Sequence, residues 1–264
     1  MISKNQIKYV HQLELKKFRK QEGLFIAEGH KVVGDLLSAG FIPKQIFATK
    51  DWAQLNDAVK VLIEVTDDEL ARLSLQQHPQ QVLALFPIPE LSILPPKFLD
   101  KPSGIAERGG NQRGLNNELS ILLDNVQDPG NLGTIIRIAD WFGIETIYCS
   151  TGTVDAWNPK VVQATMGSIA RVNLVYVDPQ QLFDSLPADY PVYGTFLDGE
   201  NIYTQELTPY GLIVMGNEGN GISDAVRARI SRRLLIPDFH KGDTADSLNV
   251  AIATAITCSE FRRR

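Results

Sequence analysis

Three segments of the chain carry glycines beside residue types that could bind a charged ligand and position a reacting oxygen. The first is Asp124-Asn-Val-Gln-Asp-Pro-Gly-Asn-Leu-Gly-Thr-Ile-Ile-Arg137. Asp128-Pro129-Gly130 reads as a turn, and Asn131 lies near a helix start, where its side chain can cap free backbone N–H groups. Gly133 lets a ligand or another backbone approach closely. Arg137 stands within two helical turns of Asn131 and can reach a phosphate or a reacting oxygen at the helix mouth. The second is Leu212-Ile-Val-Met-Gly-Asn-Glu-Gly-Asn-Gly-Ile-Ser223, where Gly216, Gly219 and Gly221 follow an apolar strand and hold Glu218 among exposed amides. Such a loop can wrap a flat heterocycle with N–H and C=O groups. The third runs from Leu235 to Asn249. Pro237 ends a strand there, and Ser247 and Asn249 offer small polar groups at the start of the last helix, with Asp246 or Ser247 expected as its N-cap. Each segment has a plainer reading: a capped helix with a surface Arg, a strand-to-helix turn, and an N-cap. None is a P-loop, and Gly130, Gly133 and Gly143 are wrongly spaced for a dinucleotide fingerprint.

These segments need strands to carry them. The second half of the chain alternates short apolar runs with helical stretches. Strands are expected at Leu119–Asp124, Thr146–Cys149, Val172–Val177, Val192–Phe196, Leu212–Met215 and Arg233–Ile236. Helices are expected at 131–142, 159–166, 180–186, 222–230 and 248–261. That alternation implies a mostly parallel α/β sheet, whose ligands gather at the carboxyl ends of the strands. Residues 1–90 read as a smaller α/β unit. It has a helix over 2–19, strands at 23–27, 45–48, 61–65 and 82–86, and helices at 31–39, 52–60 and 67–74. Residues 91–117 are rich in Pro, Gly and Asn without apolar period and read as a linker. This gives three parts: 1–90, 91–117 and 118–264.

With 264 residues, 44% hydrophobic and 22% charged, the chain suits a globular protein of one large or two modest domains. No apolar run reaches the ~18–20 residues of a membrane span, and the polar, basic N-terminus has no signal-peptide core. Two distant cysteines, Cys149 and Cys258, fit neither a disulfide framework nor a Cys-based zinc site, and are consistent with a reducing cytoplasm; no metal site is expected. The net charge of −5 argues at first against nucleic acid. The average conceals an asymmetry: residues 118–264 hold 11 basic and 18 acidic side chains, whereas residues 1–31 hold seven basic and three acidic.

Taken together, the three segments resemble the SpoU (TrmH-like) class of SPOUT RNA 2′-O-ribose methyltransferases. The matching motifs are Asn-x-Gly-x-x-x-Arg at 131–137, Gly-Asn-Glu-Gly-x-Gly at 216–221 and Ile-Pro…Ser-Leu-Asn-Val at 236–250. Asn158-Pro-Lys-Val-Val, Met166-Gly-Ser-Ile-Ala-Arg171 and Thr195-x-Leu-Asp-Gly199 are also similar to family signatures. The likeness is dense over 119–261 and weaker over 1–86, which resembles the family's ribosomal-protein-like RNA-binding domain. The segment between Pro237 and Ser247 is longer than in the shortest members.

The resemblance implies an α/β fold with a C-terminal trefoil knot, an exception to the rule that chains do not thread loops. It implies S-adenosylmethionine as cofactor, a homodimer, and 2′-O-methylation of RNA, ribosomal RNA before transfer RNA. It places Gly216, Ile236 and Leu248 around the cofactor, with Thr195, Leu197, Met215, Asn217 and Gly219 close by. It assigns catalysis to Arg137, with Asn131, Glu218, Ser247 and Asn249 orienting it. A guanidinium is never neutral near pH 7, so Arg137 is expected to hold a phosphate and stabilise alkoxide character instead of taking the proton. RNA contacts are expected from Lys4, Lys8, Lys16, Lys17, Arg19 and Lys20, together with Arg108 and Arg113. A non-catalytic RNA-binding or ribosome-assembly factor, or a Rossmann-like nucleotide enzyme, are the competing readings. The complete set Asn131, Arg137, Glu218, Ser247 and Asn249 speaks against the first. The missing nucleotide fingerprints speak against the second.

Overall fold

The structure, a computed structural model, describes residues 2–56, 61–89, 118–240 and 245–263. The expected linker, Arg108, Arg113 and residues 241–244 lie outside the described residues.

The N-terminal part forms α1 (Lys4–Gln12), α2 (Lys16–Glu22), β1 (Leu24–Glu28), α3 (His30–Ser38), β2 (Gln45–Ala48), α4 (Lys50–Leu55), β3 (Leu62–Glu64), α5 (Asp67–Leu73) and β4 (Val82–Pro87). Its sheet has the order β1-β4-β2-β3, with β4 antiparallel to both neighbours and β3 parallel to β2. Val10, Leu13, Leu24, Ile26, Phe47, Leu70 and Leu83 share one core cluster there. A fully buried Val or Leu contributes about 1.5–3 kcal/mol. The single helix expected over 2–19 is two. A capping box between Ser3 and Gln6 starts α1, and the chain breaks after Leu13. Arg19 explains the break. Its side chain is 1% exposed, and Nη1 donates to the carbonyls of Leu13 at 2.9 Å and Glu14 at 2.6 Å. Nη2 donates to Asp155 Oδ2 at 2.6 Å. The guanidinium thus takes up carbonyls left over at the end of α1.

Two compact units emerge. One joins these elements with Leu132–Arg137 and Asp155–Arg171; the other holds the rest of the second half. In the first unit Trp157 stacks on Phe25 with centroids 4.5 Å apart.

The second half forms β5 (Leu119–Leu123), α6 (Pro129–Trp141), β6 (Thr146–Cys149), α7 (Pro159–Ala164), β7 (Asn173–Tyr176), α8 (Pro179–Ser185), β8 (Val192–Asn201), β9 (Gly211–Met215), α9 (Asp224–Arg227), β10 (Arg232–Leu235) and α10 (Val250–Arg263). Six strands make one sheet in the order β10-β8-β9-β5-β6-β7, and every pair is parallel. The central pair β5 and β9 is buried at every residue, as expected of continuous apolar strands inside a parallel sheet. The chain enters at β5, moves outward through β6 and β7, then crosses to β8 and returns to β5 through β9. The direction of winding therefore reverses between β5 and β9, and the carboxyl ends of these strands form a switch point. Strand β8 is longer than expected. Its pairing with β10 jumps from Arg233↔Gly194 to Leu234↔Glu200, so Thr195–Gly199 bulges out of register. Helix α10 is pinned to β8 by an edge-on contact of Phe261 with Tyr193 at 4.8 Å.

Candidate active site

The loops that leave β5 and β9 meet at that switch point. Strand β5 delivers Asp124, 2% exposed, whose Oδ2 accepts from Ser223 N at 2.7 Å. Asn125 follows with φ +60°, a left-handed conformation that Asn tolerates. Its carbonyl accepts from Asn217 Nδ2 at 2.7 Å. Asn217 Oδ1 in turn accepts from the amides of Gly219 and Asn220 at 2.9 and 3.0 Å. Backbone bonds between Asn217 and Gly221 run in both directions, closing the loop into a tight ring. Gly216 is required for that closure: a Cβ there would lie 2.3 Å from the Gly221 carbonyl carbon.

Glu218 projects from the ring to the start of α6. Its Oε1 accepts from Asp128 N and Asn131 Nδ2, both at 3.0 Å, and Oε2 from Gln127 N at 3.1 Å. Desolvation opposes ionisation of this carboxyl, but the bonds from Asn131, Asp128 and Gln127 outweigh it, and the pKa falls below the ordinary carboxylate value. Asn131 is not the helix cap that its position suggests. Asp128 is the N-cap, accepting from Asn131 N at 2.8 Å, which frees the Asn131 side chain to bridge. Asn131 Oδ1 accepts from Asn249 Nδ2 at 2.9 Å. The cap of α10 is likewise displaced: Asn249 Oδ1 accepts from Ala251 N and Ile252 N at 2.9 and 3.3 Å, in place of Asp246 or Ser247. One chain of bonds, Glu218–Asn131–Asn249, therefore ties all three glycine-bearing segments together.

Arg137 is exposed on α6, downstream of Asn131, and has no ion pair among the described residues. Gly133 serves helix packing, since a Cβ there would meet the Ala164 Cβ at 2.4 Å. Ser247 is exposed, with no hydrogen bond shown. Of the residues assigned to the cofactor, Met215 is buried and Thr195 Oγ1 lies 3.8 Å from its sulfur. Leu197 is 75% exposed and Leu248 50%. Ile236 is half-buried just beyond β10, and Gly219 is exposed in the ring. The bulge that carries Leu197 is held by Asp198, which pairs with Arg233 and, at 3.0 Å, with Arg227. Both guanidiniums stack on Phe196, at 4.6 and 4.7 Å. Sequence reasoning gave no role to Asp124, Asn125, Arg227 or Arg233. An Asp closing a buried strand that is apolar but for Ser120 is the signal that could have found the first.

Lys4, Lys8, Lys16, Lys17 and Lys20 are exposed. Arg19 is not: buried on Asp155, it presents nothing to a phosphate. Burial raises the thiols of Cys149 and Cys258 to about 12, so neither is a ready nucleophile. Among the described residues no His/Cys/Asp/Glu group could hold a metal, and no helix is long and apolar enough to cross a membrane.

Known proteins resemble this chain over both of its halves. Residues 4–84 match an MRM3-like substrate binding domain. A 23S rRNA (guanosine(2553)-2′-O)-methyltransferase of Bacillus subtilis is 30% identical, over 98% of this chain and 97% of its own. An AdoMet-bound rRNA methyltransferase from Sinorhizobium meliloti superposes with a TM-score of 0.82 at 29% identity, covering 100% of this chain and 96% of that one. A TrmH-family protein from Porphyromonas gingivalis gives 0.80 at 39% identity, covering 100% and 99%. Residues 118–259 match the SpoU rRNA methylase family, and the chain belongs to it.

Proposed function

We infer that the protein is an S-adenosylmethionine-dependent RNA methyltransferase acting on the ribose 2′-oxygen of ribosomal RNA. The observation that carries this reading is the Glu218–Asn131–Asn249 bridge at the β5/β9 switch point, in a chain of the SpoU family. The residues present suit the cofactor. The ring closed through Gly216 has no room for a side chain, so a ligand can approach its backbone closely, and Leu197 and Leu248 leave apolar side chains uncovered for a flat heterocycle. Thr195, Met215, Asn217, Gly219 and Ile236 complete the proposed lining. When bound, S-adenosylmethionine supplies an electrophilic methyl group whose departure leaves a neutral thioether.

The chain's own residues then have two tasks. They align the ribose oxygen, which by proximity alone can lower a barrier by about 7–11 kcal/mol, and they stabilise the charge that develops on it as its hydroxyl proton passes to solvent water. Arg137 is assigned the second task, holding the phosphate beside the target ribose with its fixed guanidinium. Glu218, Asn131 and Asn249 brace the three loops against one another, and Ser247, exposed beside Asn249 in the chain, is assigned to orienting the substrate. A neutral leaving group needs no general acid. Lys4, Lys8, Lys16, Lys17 and Lys20 are assigned to RNA, and the division of the chain at 90 and 118 to recognition and catalysis. The protein is proposed to act in the cytoplasm as a homodimer with the family's trefoil knot. The exposed Ile252 of α10 and Trp141 of α6 supply apolar surface for a second copy.

The test is methyl transfer from labelled S-adenosylmethionine to deproteinised total RNA from cells lacking the enzyme, followed by nuclease mapping. One ribose-methylated nucleotide in a ribosomal RNA is expected. Label on a base, or none while RNA and cofactor both bind, would refute the reading.

A further inference from the structure

A cavity of about 370 Å³ opens in the N-terminal unit between α1 and the sheet. Phe47 and Leu85 form its apolar floor. Asn5 and Tyr9, one turn apart on α1, make one wall, and Lys44 and Gln45 make the other. The size falls in the lower part of the range for small-ligand clefts, roughly 300–1,000 Å³. No residue lining it is acidic. Lys44 is exposed and has no ion pair among the described residues, and Lys4 and Lys8 are exposed on the same helix as Tyr9. The Tyr9 ring is held in place, because its hydroxyl donates to Glu22 Oε2 at 2.9 Å. Gln45 Nε2 already donates to the Val61 carbonyl at 2.9 Å and Gln6 Oε1 accepts from Ser3, which leaves the amide of Asn5. A fixed aromatic ring, an apolar floor, a side-chain amide and a free cation are what single-stranded RNA recognition uses: the ring stacks a base, the amide meets its edge and the cation meets a phosphate.

We propose that this cavity receives one unpaired base of the RNA substrate, stacked on Tyr9, with Lys44 on the adjoining phosphate. The proposal rests on the methyltransferase reading for the identity of the substrate and adds a recognition subsite remote in sequence from the catalytic motifs. Lining and rim match the charge of RNA and not that of a basic or purely apolar partner.

The experiment uses the full chain and deproteinised large-subunit ribosomal RNA from cells lacking the enzyme. Binding across a salt series and steady-state methyl transfer are measured for wild type, Tyr9→Ala, Tyr9→Phe and Lys44→Ala. Tyr9→Ala is expected to raise Kd and KM for RNA about tenfold, with kcat and cofactor affinity within twofold. Tyr9→Phe keeps the ring but loses its tether to Glu22, and is expected to bind within about threefold of wild type. Lys44→Ala is expected to reduce the slope of log affinity against log salt by about one. Folded Tyr9→Ala and Lys44→Ala that bind RNA as wild type does would overturn the proposal. Should Tyr9→Ala fail to fold, an unchanged salt slope for Lys44→Ala overturns it alone. RNA binding by wild type without methyl transfer would count against the catalytic reading only, and the binding series would still decide the subsite.

Discussion

Replacing Glu218 by Gln keeps the shape of the side chain and removes its charge, and the cost can be worked from the bonds it makes. Oε1 accepts two donors, and Oε2 accepts Gln127 N and, at 3.4 Å, Asn217 Nδ2. A glutamine oriented to keep the Oε1 pair turns its NH2 group toward Gln127 N, donor against donor. Both bonds to Oε2 are lost, the one from Asn217 being long and weak, and two become neutral. Hydrogen bonds to charged groups contribute about 1.5–3 kcal/mol against about 0.5–1.5 for neutral ones. Glu218 is exposed, so solvent screens part of the difference, and a loss of about 1–2 kcal/mol is expected. Urea unfolding of wild type and variant gives the difference directly. Its pH dependence identifies the cause. The folded pKa of Glu218 lies below its ordinary value, so the stabilisation is present above the unfolded pKa of about 4.3 and is lost as pH falls through the folded value. The gap between the two proteins should be constant from pH 7 to about 5 and close in acid. Equal stability at pH 7, or a gap that persists below both pKa values, would refute the assignment of this carboxylate as an ionised brace.

Three further outcomes are expected. Arg137→Ala should lower methyl transfer by at least about 100-fold, the scale of losing one preorganised charge stabiliser, while cofactor affinity by calorimetry stays within a few-fold; retained turnover removes Arg137 from the mechanism. Gly216→Ala places a Cβ 2.3 Å from the Gly221 carbonyl carbon and should abolish cofactor binding in the same titration while circular dichroism stays near wild type. Arg19→Ala strands the carboxylate of Asp155, whose side chain is 16% exposed, and should cost about 3–5 kcal/mol in urea unfolding; a loss below about 1 kcal/mol would mean that water replaces the guanidinium.

The parallel sheet was legible because β5 and β9 are continuous apolar runs with punctuation on either side. Boundaries were less so. The helix expected over 2–19 broke at Leu13, because apolar spacing continues through the turn and only the tertiary contact of Arg19 shows where helical bonding stops. Strand β8 ran past Phe196 to Asn201, through residues whose polar alternation reads as loop; a register jump against β10 keeps them extended. At the site, residue types and spacing found Asn131, Glu218 and Asn249 but misjudged what the asparagines do. Local rules offer an Asn near a helix start the role of cap. Asp128 took that role from Asn131, and Asn249 took it from Asp246 and Ser247, because the free valences of each amide are used by a partner more than eighty residues away. No spacing rule encodes such a partner.

Arg19 carries the same lesson into the electrostatics. By composition it belongs to the basic N-terminal cluster; by structure it is an internal strut. The distinction matters for a protein with a net charge of −5. Attraction to RNA depends on cations free to release counterions from phosphate, not on their total. Arg19 and Arg171 spend their charge on Asp155 and Asp35, and Arg227, Arg229 and Arg233 spend theirs on Asp198 and Asp184. The arginines in these pairs thus brace the fold, whereas Lys4, Lys8, Lys16, Lys17 and Lys20 stand exposed and are the cations proposed for RNA. A bidentate, rigid fork suits the first task, and a mobile point charge suits tracking a backbone. Arg137 departs from that division: it is an exposed arginine with no ion pair among the described residues, and a fixed planar cation is what the phosphate proposed beside the reacting ribose would require.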